Sequence, residues 1–512
     1  MKICPNCGTA YDDAPVFCSM CGAKLPEASA KPLKFIEEVE TAPASGDAAA
    51  PLEKKKPAKM KKIILALACL ALVCLLGILL INSFSRGRNY EVKDNILLQK
   101  SFNDEVVAFS RSGKLIRQKM EADIKESFLS ADGSKLVFLN TDDELWLYAN
   151  HQFTKQAEKV IQFKLSFDGS SIAYCDTSGG LYLLSGSEAD KIADQVDNIY
   201  CISPDGKAVA YSRHDAGSSK VCYYDGKEHE LPAESMPAMI SNGAGYIYYV
   251  SAKGVLFVQK KDRADTRQKL SENLKNLVFN ASGTQVLVTE SGASYFSENG
   301  GERIKAAAQS VHIIIPEGVV YSDFILGKAS LKGCCFNTLP AGRRNVYYLE
   351  DKGQLTLIAR DVSAPVLLTG DGKNLYYGKN DALYRLALPA ADGTEILLME
   401  GVKNHLFSSD GKSALYVKQD NETYFLKSNG KESLVADEAI DLEKAVASRS
   451  GFVYEAAGLL FFTNGGKAVR VSGISADVEK LDGNAFWVVA ECDTDEIFVS
   501  TDGRRFTKFI SK

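Results

Sequence analysis

The chain has 512 residues, 46% of them hydrophobic and 24% charged, so it is long enough for more than one domain with a buried core. Its 60 basic and 65 acidic residues give a formal net charge of −5 at pH 7. This balance provides no broad positive surface, so the composition does not support a general electrostatic role in binding nucleic acid.

The N-terminal residues 1–25 contain two C-x-x-C pairs. The four cysteines are Cys4, Cys7, Cys18 and Cys21, and a glycine directly follows each pair. Two such knuckles can place four thiolates tetrahedrally around one zinc ion, with no coordination position left open. We therefore expect one structural Zn²⁺. Two disulfides or a redox dithiol are the alternatives, but a disulfide between residues three apart is strained.

This short unit has too few apolar side chains to fold around a hydrophobic core. Metal binding must then supply its stability, on the order of 10 kcal/mol for sites of this kind. The stretch "CPNCGTAYDDAPVFCSMCG" resembles the short zinc-ribbon heads that begin many bacterial membrane proteins, especially in Gram-positive organisms. The resemblance covers residues 3–25 and implies a zinc ribbon.

A linker and an apolar segment follow the cysteine pairs. Residues 26–62 are rich in Pro, Ala, Glu and Lys without a sustained apolar period, which is typical of a disordered linker. Residues 63–81 read "IILALACLALVCLLGILLI" and contain no charge. At about 1.5 Å per residue this helix would reach roughly 28 Å, close to the thickness of a bilayer core. We predict a single transmembrane helix.

The charges beside residues 63–81 predict the orientation of this helix. Six lysines precede it, namely Lys54, Lys55, Lys56, Lys59, Lys61 and Lys62, whereas two arginines, Arg86 and Arg88, follow it. The positive-inside rule then keeps the N-terminus in the cytoplasm and the C-terminal region outside. A cleavable signal peptide is the alternative, although the apolar run is longer than usual and no A-x-A site follows.

A short motif recurs in two groups in the C-terminal region, at steps of 36 to 40 residues from Asp132 to Ser282 and at steps of 39 and 40 residues from Asp371 to Ser450. Its turn residues are Asp132-Gly133, Asp168-Gly169, Asp205-Gly206, Asn242-Gly243, Ser282-Gly283, Asp371-Gly372, Asp410-Gly411 and Ser450-Gly451. In each copy a strand ends, a two-residue turn that tolerates positive φ follows, and a strand rich in β-branched and aromatic residues begins. We therefore interpret the periodic carboxylates as turn residues and not as an active site.

A further strand follows most copies of the motif, such as "LWLYA" at 145–149, "LYLLS" at 181–185, "VCYYD" at 221–225 and "TYFLK" at 423–427. Three to four short strands per forty residues predict a mainly β fold made of propeller blades. The motif resembles the "SPDG" repeats of TolB-like extracytoplasmic β-propellers. Residues 90–512 have room for about ten blades, which predicts one large ring or two rings with a break near 303–344.

Residue types that carry out catalysis are not arranged for it in this sequence. The five histidines, His151, His214, His229, His312 and His405, have no metal-ligand spacing, and we expect them to be surface or packing residues. No nucleotide-binding loop or G-x-S-x-G elbow occurs. Six cysteines lie in the C-terminal region, and those within strand patterns are expected to act as small hydrophobic residues: Cys175, Cys201, Cys222, Cys334, Cys335 and Cys492.

These observations favour a membrane-anchored, non-enzymatic protein for binding, sensing or scaffolding. The propeller would bind a protein, peptide or glycan outside the cell membrane, while the zinc ribbon would contact a cytosolic protein. Two alternatives remain at this stage: a membrane-tethered enzyme that uses the propeller funnel, and a nucleic-acid-binding regulator that uses the ribbon. Few basic residues surround the cysteine pairs, so nucleic acid is the less favoured partner.

Overall fold

The computed structural model describes residues 2–3, 10–11, 96–100, 104–110, 115–215, 217–233, 235–307, 310–315, 321–322, 324–338, 344–389, 395–448, 451–471, 476–480, 488–492, 497–500 and 507–510. The predicted linker at 26–62 and transmembrane helix at 63–81 lie outside these residues, as do the four cysteines of the predicted ribbon. Among the residues described, no helix has the length and apolar character needed to cross a membrane.

The unit Met1–Leu72 contains one described hairpin. Its strands β1 (Lys2–Ile3) and β2 (Ala10–Tyr11) pair antiparallel, with Lys2 opposite Tyr11 and Ile3 opposite Ala10. The first cysteine pair lies in sequence between these two strands.

The described part of the second unit, Val73–Lys512, forms ten β-sheets and one 3-10 helix, Asn242–Ala244. We number the sheets 1 to 10 in chain order. Sheet 1 contains β3 (Ile96–Lys100), β4 (Glu105–Ser110) and β5 (Leu115–Lys119), and sheet 2 contains β6 (Ile124–Leu129), β7 (Lys135–Asn140), β8 (Leu145–Ala149) and β9 (Gln152–Ala157). Sheet 3 contains β10 (Val160–Leu165), β11 (Ser171–Asp176), β12 (Leu181–Ser185) and β13 (Glu188–Ala193), and sheet 4 contains β14 (Val196–Ile202), β15 (Val209–Asp215), β16 (Ser218–Tyr224) and β17 (Glu228–Glu230). Sheet 5 contains β18 (Met236–Ile240), β19 (Tyr246–Val250), β20 (Leu256–Lys260) and β21 (Arg263–Ser271).

Sheets 6 and 7 are larger than their neighbours. Sheet 6 contains β22 (Leu274–Phe279), β23 (Gln285–Glu290), β24 (Ala293–Glu298), β25 (Ile304–Ala307), β27 (Tyr321–Ser322) and β28 (Ile325–Leu326), and sheet 7 contains β26 (Val311–Ile313), β29 (Cys335–Thr338), β30 (Arg344–Leu349), β31 (Leu355–Leu368), β32 (Asn374–Lys379), β33 (Ala382–Ala387) and β34 (Ile396–Glu400). The long strand β31 pairs with β30 through its first half and with β32 through its second half.

Sheets 8 to 10 return to four consecutive strands. Sheet 8 contains β35 (Val402–Phe407), β36 (Ser413–Lys418), β37 (Thr423–Lys427) and β38 (Glu432–Ala436). Sheet 9 contains β39 (Val446–Ala447), β40 (Phe452–Ala456), β41 (Leu459–Thr463) and β42 (Val469–Arg470). Sheet 10 contains β43 (Ala476–Lys480), β44 (Val488–Cys492), β45 (Ile497–Ser500) and β46 (Thr507–Ile510). The mainly β prediction is confirmed, and β8, β12 and β37 have the predicted bounds.

The second strand of each typical sheet is its most buried strand. In β11 the residues Ser171 to Cys175 are all buried, whereas the first four residues of β13, at the outer edge of the same sheet, are exposed. A strand with neighbouring sheets on both faces must be apolar throughout, which explains the sequence "SIAYC". Side-chain burial is therefore greatest in the first two strands of a sheet and decreases towards the last strand, which is polar.

Successive sheets pack face to face and share apolar clusters. One cluster joins Leu139 of sheet 2 to Phe163 of sheet 3, and another joins Ala173 of sheet 3 to Tyr211 of sheet 4. Equivalent clusters join each successive pair from sheet 1 to sheet 9 in the described residues. Within residues 303–344, β27 and β28 extend sheet 6 while β26 and β29 belong to sheet 7.

The recurring motif forms the turn between the first and second strands of a sheet. In sheet 4, the Ser203 hydroxyl donates to Asp205 Oδ1 at 2.8 Å and accepts the Ala208 N–H at 2.9 Å. The Gly206 N–H donates to the Ser203 carbonyl at 2.8 Å, and Gly206 has a φ of +70°. The turn prediction is confirmed, although residues 203–208 make a wider connection than the predicted two-residue turn.

The same side-chain pattern recurs at Ser130–Asp132, Ser166–Asp168, Thr369–Asp371 and Ser408–Asp410. The aspartates hold their own turns because each carboxylate also accepts a backbone N–H two residues later. They are therefore occupied by local hydrogen bonds.

A second repeated arrangement ties a buried inner strand to the start of the outermost strand, or to the residue just before it. In sheet 4 the buried Tyr211 hydroxyl donates to Glu228 at 2.6 Å, and Arg213 also donates to Glu228 at 2.7 Å. In sheet 7, Tyr377 and Lys379 both donate to Glu395 in the same way. In sheet 8, Tyr416 and Lys418 both donate to Glu432. Partial burial alone would raise the pKa of Glu228, but the hydrogen bonds from Arg213 and Tyr211 outweigh it and hold that pKa below its usual range.

We predict that Tyr211→Phe lowers the free energy of unfolding by about 1.5 kcal/mol or more, because it removes a hydrogen bond to a charged group. Tyr248→Phe is the matched control. Tyr248 is also fully buried, but its hydroxyl has no hydrogen-bond partner within the described residues. Its removal should change stability by less than about 0.5 kcal/mol or stabilise the protein. Denaturant unfolding of both variants tests the prediction, and equal losses would contradict it.

Candidate ligand-binding cavity

Hydrogen bonds between turns join sheets 2 to 6 along one edge. The Ala131 N–H of sheet 2 donates to the Phe167 carbonyl of sheet 3 at 2.9 Å. The Asp168 N–H of sheet 3 then donates to the Pro204 carbonyl of sheet 4 at 3.1 Å. These bonds fix the ends of the first strands next to one another.

The series of hydrogen bonds continues through the next sheets. The Gly243 N–H of sheet 5 donates to Asp205 Oδ2 of sheet 4 at 3.0 Å, so one turn carboxylate has a role between sheets. The Asn242 N–H of sheet 5 donates to the Ser282 carbonyl of sheet 6 at 2.9 Å. Five sheets are thereby connected through their turns.

A cavity of about 230 Å³ lies where these five sheets meet. Its walls come from the ends of β6, β10 and β14, from β18, and from Phe324 and Ile325 in sheet 6. Ile325 lies there because β28 pairs parallel with β22, where Phe279 is opposite Ile325. The volume approaches the lower end of the range that small-ligand sites have, about 300 Å³.

Most of the residues that line the cavity are apolar in type, although polar atoms contribute nearly half of its surface. Phe128, Leu165, Ile202 and Met239 line it. Two other lining residues remain exposed to solvent: Phe324 is 50% exposed and Leu129 is 38% exposed. Apolar side chains left exposed beside a concave apolar surface are typical of binding sites.

Lys164 is the one charged side chain among the described lining residues. Its ammonium lies 5.3 Å from the centre of the Phe128 ring, which also lines the cavity. The ammonium makes a cation–π contact with this ring, and no carboxylate within the described residues forms an ion pair with it. Ser166, by contrast, already donates its hydroxyl to Asp168 at 2.8 Å.

The cysteines differ in their access to solvent. Cys175, Cys222, Cys334 and Cys335 are buried, which confirms the prediction that they act as small hydrophobic residues. Burial raises the pKa of Cys175 to about 11 and that of Cys334 to about 12, so neither thiol is activated as a nucleophile. Cys201 is partly exposed and lines the cavity, and the side chain of Cys492 lies outside the description.

Two of the histidines, His405 and His229, are held by local partners. His405 is buried, with Nε2 3.0 Å from the Pro365 carbonyl, and burial lowers its pKa. His229 lies between Asp225 at 3.0 Å and Asp262 at 2.6 Å, where it joins sheets 4 and 5. Within the described residues, no cluster of three or more ligand side chains is arranged to hold a metal.

The cavity residues were not predicted from the sequence, although a signal for them exists. Phe128, Lys164, Cys201 and Ala238 each stand five residues before a turn glycine, and all four line the cavity. The repeat therefore contains a register position that faces the cavity. Phe324 has no such signal, because it comes from the segment that returns to sheet 6 after β26.

Comparisons with known proteins give similarities of fold only. No family model matches the chain, and no curated protein matches it. A crystal structure of a eukaryotic initiation factor shares 10% identity over 68% of this chain and 96% of that chain, with a TM-score of 0.40. The tricorn protease shares 10% identity over 82% of this chain and 58% of its own, with a TM-score of 0.28.

The WD40 domain of SCAP from fission yeast shares 10% identity with the chain. The match covers 65% of this chain and 93% of that domain, with a TM-score of 0.29. The fold described above therefore rests on the strand pairing and sheet contacts of this chain itself.

Proposed function

We propose that the chain is a membrane-anchored, non-enzymatic binding protein, in which the cavity between sheets 2 and 6 holds the ligand. The observation that carries this proposal is the apolar cavity with two exposed apolar side chains beside it. A fold that only needed to be stable would gain by covering Phe324 and Leu129. Their exposure next to a cavity supports a partner that covers them, such as a protein, a peptide or a glycan.

The proposed architecture is a β-propeller outside the membrane. Successive four-stranded antiparallel sheets, packed face to face with their first strands adjacent, have the geometry of propeller blades. Ten sheets would make one large ring or two rings. The helix at 63–81 would anchor this region, and the lysine-rich flank would keep residues 1–62 in the cytoplasm.

The proposed zinc ribbon completes the cytosolic part and would contact a protein partner there. The described hairpin supports it, because β1 and β2 flank Cys4 and Cys7 in sequence. A hairpin whose connecting residues carry C-x-x-C-G is a common way to present two thiolates to one metal.

We predict that the purified full-length chain contains one zinc ion and that Cys18→Ser removes it, because the thiolates of Cys4, Cys7, Cys18 and Cys21 are all needed for a closed site. Cys69→Ser, a cysteine outside the two pairs, is the matched control and should keep its zinc. Elemental analysis with protein quantification measures the ratio. Zinc retained in the Cys18→Ser variant would show that the ribbon assignment is wrong.

The binding function itself is tested by alkylation of Cys201. If the cavity is occupied in cells, iodoacetamide should modify Cys201 severalfold more slowly in intact cells than in the purified, dialysed full-length chain. Ser218→Cys provides the control, because Ser218 is exposed on β16 and does not line the cavity. It should react at the same rate in both samples.

Peptide mass spectrometry would report each site separately. Equal rates at Cys201 in both samples would mean that the cavity is empty in cells, and the binding proposal would fail.

A further inference from the structure

The geometry points to a ligand with a carboxylate attached to an apolar group, which would place its carboxylate at Lys164 and its apolar part against the cavity wall. This inference rests on the proposed binding function and names the chemical class that the cavity takes. It is carried by three independent observations on the cavity.

The first observation is that Lys164 breaks the pattern of the repeat. The residues five positions before the eight turn glycines are Phe128, Lys164, Cys201, Ala238, Val278, Leu367, Leu406 and Val446. Lysine is the single charged residue in this series, and it occurs where the position lines the cavity. The Lys164 side chain is half-buried, and an apolar residue would satisfy the packing there.

The second observation is the unbalanced charge of the cavity. No carboxylate is among its described lining residues, and Lys164 forms no ion pair with any described residue. Its contact with the Phe128 ring holds the ammonium at the wall but leaves it without an anion. A buried or half-buried ammonium gains most from an anionic partner, and a ligand carboxylate supplies one.

The third observation is a second donor beside an apolar wall. Tyr200 lines the same cavity, and its hydroxyl forms no hydrogen bond with any described residue. A carboxylate has two oxygens, so it can accept from the lysine and the tyrosine together. Leu165, Ile202 and Met239 then provide apolar surface for the remainder of the ligand.

Such a carboxylate can belong to a small organic acid or to the C-terminus of a peptide. The probes are therefore 4-phenylbutyrate and N-acetyl-leucylphenylalanine, each compared with its neutral amide. The readout is protection of Cys201 from iodoacetamide in the purified full-length chain. Both acids should protect Cys201 better than their amides. The half-protection concentration is the probe concentration that halves the rate of Cys201 alkylation. The acid with the lower half-protection concentration shows whether the carboxylate belongs to a small organic acid or to the C-terminus of a peptide.

Lys164→Met should raise the half-protection concentration of the preferred acid about tenfold or more, because a charge-assisted hydrogen bond is lost. Lys164→Arg should retain most of the preference for acid over amide. Tyr200→Phe should have a smaller effect in the same direction. Lys275→Met, an exposed lysine on β22 that does not line the cavity, should have none.

Equal protection by acid and amide, or an unchanged half-protection concentration in Lys164→Met, would overturn the carboxylate assignment. The cavity would still bind a ligand in that case, so the proposed function would stand. Lack of protection by every probe at millimolar concentration would also overturn the assignment. Failure of the proposed function has a different signature, namely equal alkylation of Cys201 in cells and in the purified chain.

Discussion

The hydrogen bonds that connect the turn of one sheet to the turn of the next are the interaction on which the arrangement of sheets 2 to 6 depends. Each four-stranded sheet is a local antiparallel meander, and a meander alone has no fixed position relative to its neighbour. The bond from the Ala131 N–H to the Phe167 carbonyl, and its counterpart from Asp168 to Pro204, set that position. The apolar clusters between the sheets then pack in one register.

The cavity follows from the same constraint. Because the turns of sheets 2 to 6 are linked, the residues just before those turns are brought to a common edge. A single residue position in the repeat therefore contributes four different side chains to one space, and Lys164 gives that space its charge. The binding properties of such a fold can change by substitution at this position while the turns keep the sheets in place.

Much of this fold could be predicted from local sequence. Strands such as Leu145–Ala149 and Thr423–Lys427 were found because β-branched and aromatic runs between turn residues are local signals. The return of β28 to sheet 6 and the pairing of Tyr211 with Glu228 were not found, because each joins residues far apart in sequence. The cavity was missed for a related reason: the lysine at 164 lies in a strand, and only the arrangement of the sheets shows what it faces.

The most direct measurement compares Gly206→Ala with Gly186→Ala. Both glycines have nearly the same positive φ, +70° and +68°, so the backbone strain is equal. A Cβ on Gly206 would lie 2.6 Å from the Ser171 Cβ in the preceding sheet, whereas one on Gly186 would meet nothing within 4 Å. If contacts between turns and sheets hold the structure, Gly206→Ala must lower the melting temperature clearly more than Gly186→Ala. Equal shifts would contradict the account.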